Sequence, residues 1–145
     1  MTNIAGKTAF ITGAASGIGL ALTARFAQAN ANVVMADIDA NALTAAAATI
    51  TGNIATVVCD VADPKSIKTA ADATIAAFGS VHIIINNAGV STSGWPGNVP
   101  LEDWRWIMDI NLMGVVHGIE AFLPILREQG EGGYFINTAS MAGHL

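Results

Sequence analysis

Short runs of apolar and β-branched residues alternate along the chain with longer, alanine-rich stretches, which predicts alternating strands and helices. The predicted strands cover residues 8–12, 32–36, 55–61, 81–85 and 134–138. They are continuous apolar blocks rather than alternating polar and apolar positions, and such blocks are typical of strands covered on both faces. The pattern therefore predicts a five-stranded parallel sheet in a doubly wound α/β arrangement, with residues 1–145 forming one domain.

Three shorter helices are predicted between the first four strands, over residues 17–29, 41–50 and 63–78. The second follows from its run of alanines, because alanine has the highest helix propensity. The third follows from Asp63, a good N-cap residue, and from Pro64, which suits the first helical position. Gly79 is expected to end it.

A longer helix is expected from Leu101 to about Arg127, with a kink or an end at Pro124. Its apolar residues lie almost all round the helix, which predicts that it is buried. Without a covering partner, such a helix would expose an apolar patch and favour self-association. The last strand would then be an open sheet edge.

The composition narrows the possible functions. The chain has 52% hydrophobic and only 12% charged residues and a net charge of −5, with no cluster of Lys or Arg. These values argue against a disordered chain and against a nucleic-acid or membrane-surface partner. Charged and amide residues interrupt every apolar stretch, so no membrane span is expected. A single cysteine, Cys59, favours a cytoplasmic location, and no metal-ligand spacing is present. Such a low charge indicates either a large surface buried against a partner or an incomplete chain.

Glycines cluster between the first strand and the first helix, in the sequence Thr12-Gly13-Ala14-Ala15-Ser16-Gly17-Ile18-Gly19. The pyrophosphate of a dinucleotide requires backbone N–H groups at a helix N-terminus and a backbone that can approach it closely. A tight strand-to-helix turn would also use glycines. The position in the first βαβ unit favours a Rossmann-like cofactor site, with Gly13, Ser16, Gly17, Ile18 and Gly19 as its residues.

Asp37 ends the second predicted strand, eighteen residues after Gly19. An acid at this position of such a fold accepts hydrogen bonds from the adenosine ribose. Its charge would repel a 2′-phosphate, and no Arg or Lys lies between Arg25 and Lys65 to neutralise one. NAD is therefore expected in preference to NADP. Asp37 could instead cap the next helix, although Asp39 is better placed to do so.

Five motifs in order make the chain similar to the short-chain dehydrogenase/reductase family. They are residues 12–19 (TGAASGIG), Asp60 with Val61, residues 86–89 (NNAG), Asn111 and residues 137–140 (NTAS). The glycine spacing of the first motif resembles that of this family and differs from the G-x-G-x-x-G of longer dehydrogenases. The resemblance covers essentially the whole chain.

The resemblance implies further cofactor-binding residues. Asp60 is similar to the residue that hydrogen-bonds the adenine, with the backbone of Val61 beside it. Asn87, Ala88 and Gly89 resemble the stretch that passes along the adenosine ribose and holds the centre of the sheet.

The resemblance also implies two catalytic residues. Asn111 resembles the asparagine that helps to hold a proton-relay water, and Ser140 resembles the serine that hydrogen-bonds the substrate oxygen. Each alone is as well explained by a structural role, and Asn111, on an apolar helix face, is expected to be a buried amide that needs partners.

The family's acid/base pair does not occur in this sequence. In the family, a tyrosine follows the serine, and a lysine follows four residues later. Here the one tyrosine, Tyr134, precedes Ser140 and has Thr138 four residues after it, and the last lysine is Lys68. We therefore expect the chain to be the N-terminal, cofactor-binding part of such an enzyme, truncated before this motif and inactive alone.

The implied function is an NAD-dependent oxidoreductase that transfers hydride between NAD(H) and a secondary alcohol or ketone, a small-molecule substrate. The full-length form is expected to be a homo-oligomer, a dimer or a tetramer. The alternative is a catalytically silent module that binds a nucleotide or pairs with other subunits.

Overall fold

The computed structural model describes residues 3–95 and 97–141, which contain one parallel five-stranded sheet. The strands are β1 (Thr8–Thr12), β2 (Asn32–Asp37), β3 (Asn53–Val58), β4 (Ile83–Asn86) and β5 (Tyr134–Asn137). Their order in the sheet is β3-β2-β1-β4-β5, and each neighbouring pair is parallel. The predicted doubly wound sheet is confirmed.

Helices cover both faces of this sheet. They are α1 (Gly17–Gln28), α2 (Ala40–Ala47), α3 (Pro64–Phe78), α4 (Leu101–Ile107) and α5 (Gly114–Gln129), with a π-helical segment (Met108–Met113) between the last two. One apolar core lies on the α1 and α2 face, and a second lies on the α3 and α5 face. Phe10 of β1 and Phe122 of α5 join the second core, with ring centroids 4.6 Å apart.

The central strands are fully buried, whereas the outer strands are not. All five residues of β1 are buried, but β3 and β5 are partly exposed, as shown by Val58 and Ile136, which are 55% and 47% exposed. The expectation that every strand is covered on both faces is therefore wrong for these two outer strands. The expectation of an open edge at β5 agrees with its exposure.

The third strand and the second helix differ from the predicted segments. β3 ends at Val58 rather than at residue 61, because Cys59 and Asp60 already turn toward α3. The side chain of Asp60 accepts a hydrogen bond from the N–H of Ala62 (2.9 Å), a turn that a strand cannot contain. α2 begins after Asp39, whose side chain accepts hydrogen bonds from two backbone N–H groups, and ends at Ala47 instead of residue 50.

Pro124 does not end the long helical region, so the expected end at this residue is wrong. α5 continues to Gln129, and the irregular part is the π-helical segment well before the proline. Pro124 lies on the exposed side of α5, where its ring meets solvent.

Only one side of the long helical region is buried. Gly114, Gly118, Phe122 and Leu126 recur every four residues and face the sheet. Gly118 permits α5 to approach β4 closely, because a Cβ at this position would lie 2.2 Å from Oδ1 of Asn86.

The rest of this region exposes apolar side chains, which include Trp104, Trp106, Leu112 and Val116. The expectation of a fully buried helix is thus wrong for the described residues, whereas the expected apolar patch is present. By length and composition, Leu101–Gln129 would suffice to cross a membrane. Its row of sheet-facing residues is that of a helix in a protein core.

Two sets of side-chain hydrogen bonds hold together the end of the sheet at which its strands begin. The amide of Gln129 donates to the carbonyl of Val81 (2.7 Å) and accepts from its N–H (2.9 Å). Nδ1 of buried His82 accepts from the N–H of Thr8 (3.1 Å), so its other nitrogen donates to Glu131 (3.2 Å). A hydrogen bond from Lys7 lowers the pKa of the Glu131 carboxyl.

Replacing Phe122 by Ala tests how far α5 stabilises the sheet. The ring is fully buried against Phe10, so its removal should lower the free energy of unfolding by about 3–5 kcal/mol. Urea titration followed by circular dichroism measures this. Trp106→Ala is the control, because Trp106 is 47% exposed. Equal losses for the two variants would contradict the assigned packing.

Candidate functional site

A groove of about 420 Å³ opens where the strands end at their carboxyl side. Its walls come from the segments that follow β1, β2, β3, β4 and β5. The chain changes direction across the sheet here, because β1 lies between β2 and β4. Ligands of doubly wound proteins bind in the crevice at such a switch point.

The glycine loop forms one wall of the groove. Four of the five residues predicted for a site in this loop line the groove, namely Gly13, Ser16, Gly17 and Ile18. Ser16 is the N-cap residue of α1 but its side chain makes no capping hydrogen bond, so the first N–H groups of α1 keep their capacity to bind an anion.

Gly19 lies beneath this loop rather than on the wall of the groove. A Cβ at this position would be 2.1 Å from the carbonyl oxygen of Gly13 and 2.9 Å from Nδ2 of Asn87. The glycine therefore lets α1 pack directly under the loop, and its contribution to a site is indirect.

Asp37 lies at the end of β2 and lines the groove. One carboxylate oxygen accepts a hydrogen bond from the N–H of Ala15 in the glycine loop (3.0 Å). The other accepts from the N–H of Asp39 (3.1 Å), and Asp39 itself caps α2. Asp37 thus joins the glycine loop to the loop after β2, and the alternative in which Asp37 caps the helix is wrong.

Asp60 and Val61 line the groove beyond β3. The Asp60 carboxylate accepts from Ala62, and its backbone N–H donates to the hydroxyl of Ser66 (3.0 Å). The carbonyl of Val61 is hydrogen-bonded by Nδ1 of His117 (2.9 Å). These contacts fix the turn before α3 and the position of both residues on the wall.

Asn87, Ala88 and Gly89 line the groove after β4 and are tied to the end of β1. The N–H groups of Asn87 and Ala88 donate to the hydroxyl oxygen of Thr12 (2.9 and 3.0 Å). The side-chain amide of Asn87 donates to the carbonyl of Thr12 (3.0 Å). Thr12 is 2% exposed, so this network is internal to the protein.

The two residues expected to be catalytic lie next to the groove, but neither is among its described lining residues. Asn111 belongs to the π-helical segment, where its amide donates to the carbonyl of Val90 and accepts from its N–H (both 2.8 Å). Asn111 is exposed, so the expectation of a buried amide is wrong, although its partners are present; no described segment covers this face. Ser140 is exposed and follows the end of β5.

The sequence reasoning missed some residues of the groove. Ile38 and Thr138 both line it. Thr138 belongs to the NTAS motif, but a single hydroxyl carries no pattern that would predict a role for it. Ile38 follows Asp37, and its 66% exposure is visible only in the structure.

Cys59 also lines the groove, at the point where β3 turns toward α3. Burial raises the pKa of its thiol to about 11, and the nearby charges of Asp60 and Asp63 act in the same direction, against a hydrogen bond with Ser66. A thiol with such a pKa is neutral at physiological pH and is a poor nucleophile.

The fold and groove define a doubly wound α/β domain with a crevice at the switch point of its sheet. Comparison with known proteins is more specific, because the sequence pattern that defines the family described as short chain dehydrogenase matches residues 7–145. The chain therefore belongs to the short-chain dehydrogenase family.

The relatives extend well beyond this chain. A 1-deoxy-11-beta-hydroxypentalenate dehydrogenase from Streptomyces exfoliatus is 43% identical over 141 residues, covering 94% of this chain and 51% of that protein. The chain thus spans about half the length of the curated relatives it matches.

Two solved structures resemble the chain closely. A short-chain dehydrogenase/reductase from Burkholderia phymatum, in complex with NAD, has a TM-score of 0.96 and 39% identity, over 100% of this chain and 53% of that one. A 3-ketoacyl-(acyl-carrier-protein) reductase from Brucella melitensis, complexed with NADH, has a TM-score of 0.93 and 31% identity, over 98% and 61%.

The raised pKa of Cys59 predicts slow modification of the folded chain by a thiol reagent. At pH 8 the reaction with Ellman's reagent should be far slower than in urea, because burial keeps the thiol both protonated and inaccessible. The rate in the folded state should increase as the pH rises from 9 toward 11. A folded-state rate equal to that in urea at pH 8 would contradict this placement.

Proposed function

We propose that the groove binds NAD(H), and that the chain is the cofactor-binding part of a dehydrogenase that acts on a secondary alcohol or ketone. The observation that supports this most directly is the joining of the glycine loop to Asp37 at the switch point of the sheet. The family membership and the two nucleotide-bound structural relatives support the same conclusion.

The residues present fit a dinucleotide. The tight contacts at Gly13 and Gly19 leave no room for side chains, which is the condition for a backbone cradle around a pyrophosphate. The uncapped N-terminus of α1 supplies N–H groups and a favourable helix dipole. When bound, the nicotinamide supplies the hydride, and the protein supplies orientation and electrostatics.

Each wall of the groove has a role in this proposal. Gly13, Ser16, Gly17 and Ile18 would hold the pyrophosphate, and Gly19 would support their loop from beneath. Asp37 would hold the adenosine ribose. Asp60 and Val61 would bind the adenine. Asn87, Ala88 and Gly89 would pass along the ribose.

NAD is proposed in preference to NADP because of Asp37. Its carboxylate is held in the groove by two backbone N–H groups, and its charge would repel a 2′-phosphate. No Lys or Arg between Arg25 and Lys65 could neutralise that phosphate.

Asn111 and Ser140 would serve the reaction itself. Ser140 would hydrogen-bond the substrate oxygen, and Asn111 would help to hold a water for proton transfer. Proton transfer to a ketone oxygen also needs a general acid. The sequence contains no Tyr-x-x-x-Lys pair to supply one, so we propose that the 145-residue chain has no dehydrogenase activity alone.

Three further parts of the proposal concern the cellular setting. A small-molecule secondary alcohol or ketone is the proposed substrate. The exposed apolar side of the long helical region supports assembly of the whole protein into a homo-oligomer. The free thiol of Cys59 supports a cytoplasmic location.

A second candidate function is a silent module that binds nucleotide or pairs with other subunits. The absence of the Tyr-x-x-x-Lys pair from this sequence favours it. The mass of the intact protein isolated from its source distinguishes the two. A mass well above that of this chain supports the dehydrogenase, whereas the 14.8 kDa of this chain supports the module.

Binding of NADH should depend on the close packing at Gly19. In Gly19→Ala the added Cβ forces the loop to move, so NADH affinity, measured by nucleotide fluorescence, should fall by roughly tenfold or more. Gly79→Ala is the control, because an alanine at the positive φ of 75° would also strain the backbone, but far from the groove. Unchanged NADH fluorescence with the unsubstituted chain would overturn the proposed function.

Asp37→Asn should reduce the preference for NADH over NADPH by about tenfold or more, because it removes the charge but keeps an oxygen that can accept from Ala15. Asp37→Ala should weaken both nucleotides, since it also releases the loop. Asp39→Asn is the matched control and should leave the ratio of the two dissociation constants unchanged. An unaltered ratio in Asp37→Asn would remove Asp37 from the ribose site.

A further inference from the structure

Thr138, the residue after β5, contacts both the groove and the neighbouring strand. Its backbone N–H donates to the carbonyl of Asn86 (3.0 Å), and its hydroxyl donates to Oδ1 of Asn87 (3.2 Å). It lines the groove, and Ser140 follows two residues later. Thr138 thus connects the segment that carries Ser140 to the loop after β4.

The partners of Asn87 determine which way its carboxamide faces. The carbonyl oxygen of Thr12 can only accept, so the nitrogen of the amide must face it, at 3.0 Å. The amide oxygen then faces Thr138, whose hydroxyl can donate. A reversed carboxamide would set its oxygen against the carbonyl of Thr12, so Thr12 selects this orientation. The hydroxyl of Thr138 then holds the amide oxygen on the other side of the carboxamide.

The nitrogen of this carboxamide lies directly beneath the glycine loop. It would be 3.2 Å from a Cβ at Gly13 and 2.9 Å from a Cβ at Gly19. The two glycines therefore leave the space that the Asn87 amide fills. A change in the orientation of Asn87 would alter the surface on which the loop rests.

We propose that Thr138 is a positioning residue, whose hydroxyl fixes the Asn87 carboxamide and thereby couples the segment that carries Ser140 to the glycine loop. The coupling to nucleotide rests on the proposed function. Because coupling between two sites is reciprocal, nucleotide in the groove should also stabilise the segment after β5. The competing explanation is that the hydroxyl only decorates a strand end.

Two variants at this position isolate the hydroxyl. Thr138→Val keeps the shape and the β-branch, and its methyl group excludes water from the place of the hydroxyl. Thr138→Ser keeps the donor and is the matched control. In nuclear magnetic resonance spectra of the apo chain, the side-chain amide signals of Asn87 should shift and exchange faster in the Val variant, and should remain near their original values in the Ser variant.

Nucleotide provides the second measurement. The Val variant should bind NADH about three- to tenfold more weakly, as expected for one lost hydrogen bond, and the Ser variant should bind almost normally. Saturating NADH should slow hydrogen exchange of the backbone N–H of residue 138 in the original chain and in the Ser variant. This protection should be much smaller in the Val variant, which a merely structural role would not predict.

The outcomes separate this inference from the proposed function. Unchanged Asn87 amide signals in the Val variant would overturn the inference, whether or not NADH binds. Altered Asn87 signals with no NADH binding by any form would keep the apo contact but refute the proposed function and, with it, the coupling to nucleotide. Equal NADH affinity and equal protection in the Val and Ser variants would overturn the coupling. Should the Val variant fail to fold, Thr138→Ala is measured against Thr138→Ser by the same criteria.

Discussion

The buried hydroxyl of Thr12 is the interaction on which the site depends most. Its oxygen accepts hydrogen bonds from the N–H groups of Asn87 and Ala88, and the carbonyl of the same residue accepts from the side chain of Asn87. A buried polar group must be satisfied internally, so these bonds hold the chain leaving β1 against the chain leaving β4. The two loops at the switch point of the sheet therefore have a defined separation, and the groove lies between them.

This fixed separation explains the spacing of the glycines. A Cβ at Gly13 would lie 3.0 Å from the Cα of Ala88, so no side chain fits there, and Gly19 packs under Gly13. Asp37 then holds the loop from the side of β2 through the N–H of Ala15. The loop is thus supported from three strands before any ligand is present, which reduces the ordering cost of binding.

The sequence predicted well whatever depends on local pattern. The order of strands and helices, the capping of α3 by Asp63 and the capping of α2 by Asp39 all follow from short-range chemistry. Both ends of β3 were mispredicted, because polar Asn53 lies within the strand, whereas apolar Cys59 and Val61 lie outside it.

What depends on tertiary surroundings was less accessible to prediction. The burial of Asn111 was overestimated because an apolar helix face indicates a core only when another segment covers it. The π-helical segment and the continuation of α5 through Pro124 have no signal in the sequence. The groove residues that belong to a recognisable motif could be predicted from the sequence. The contact between Thr138 and Asn87 could not, because it depends on how one side-chain amide is oriented.

The fastening at the amino end of the sheet lies at the edge remote from the groove. Gln129 grips the backbone of Val81, and His82 bridges Thr8 and Glu131, all without contributing to the groove walls. The bonds that hold the amino end of the sheet and the residues that line the groove therefore lie at opposite edges of the sheet. Changes in the loops after the strands would therefore leave these anchoring bonds intact.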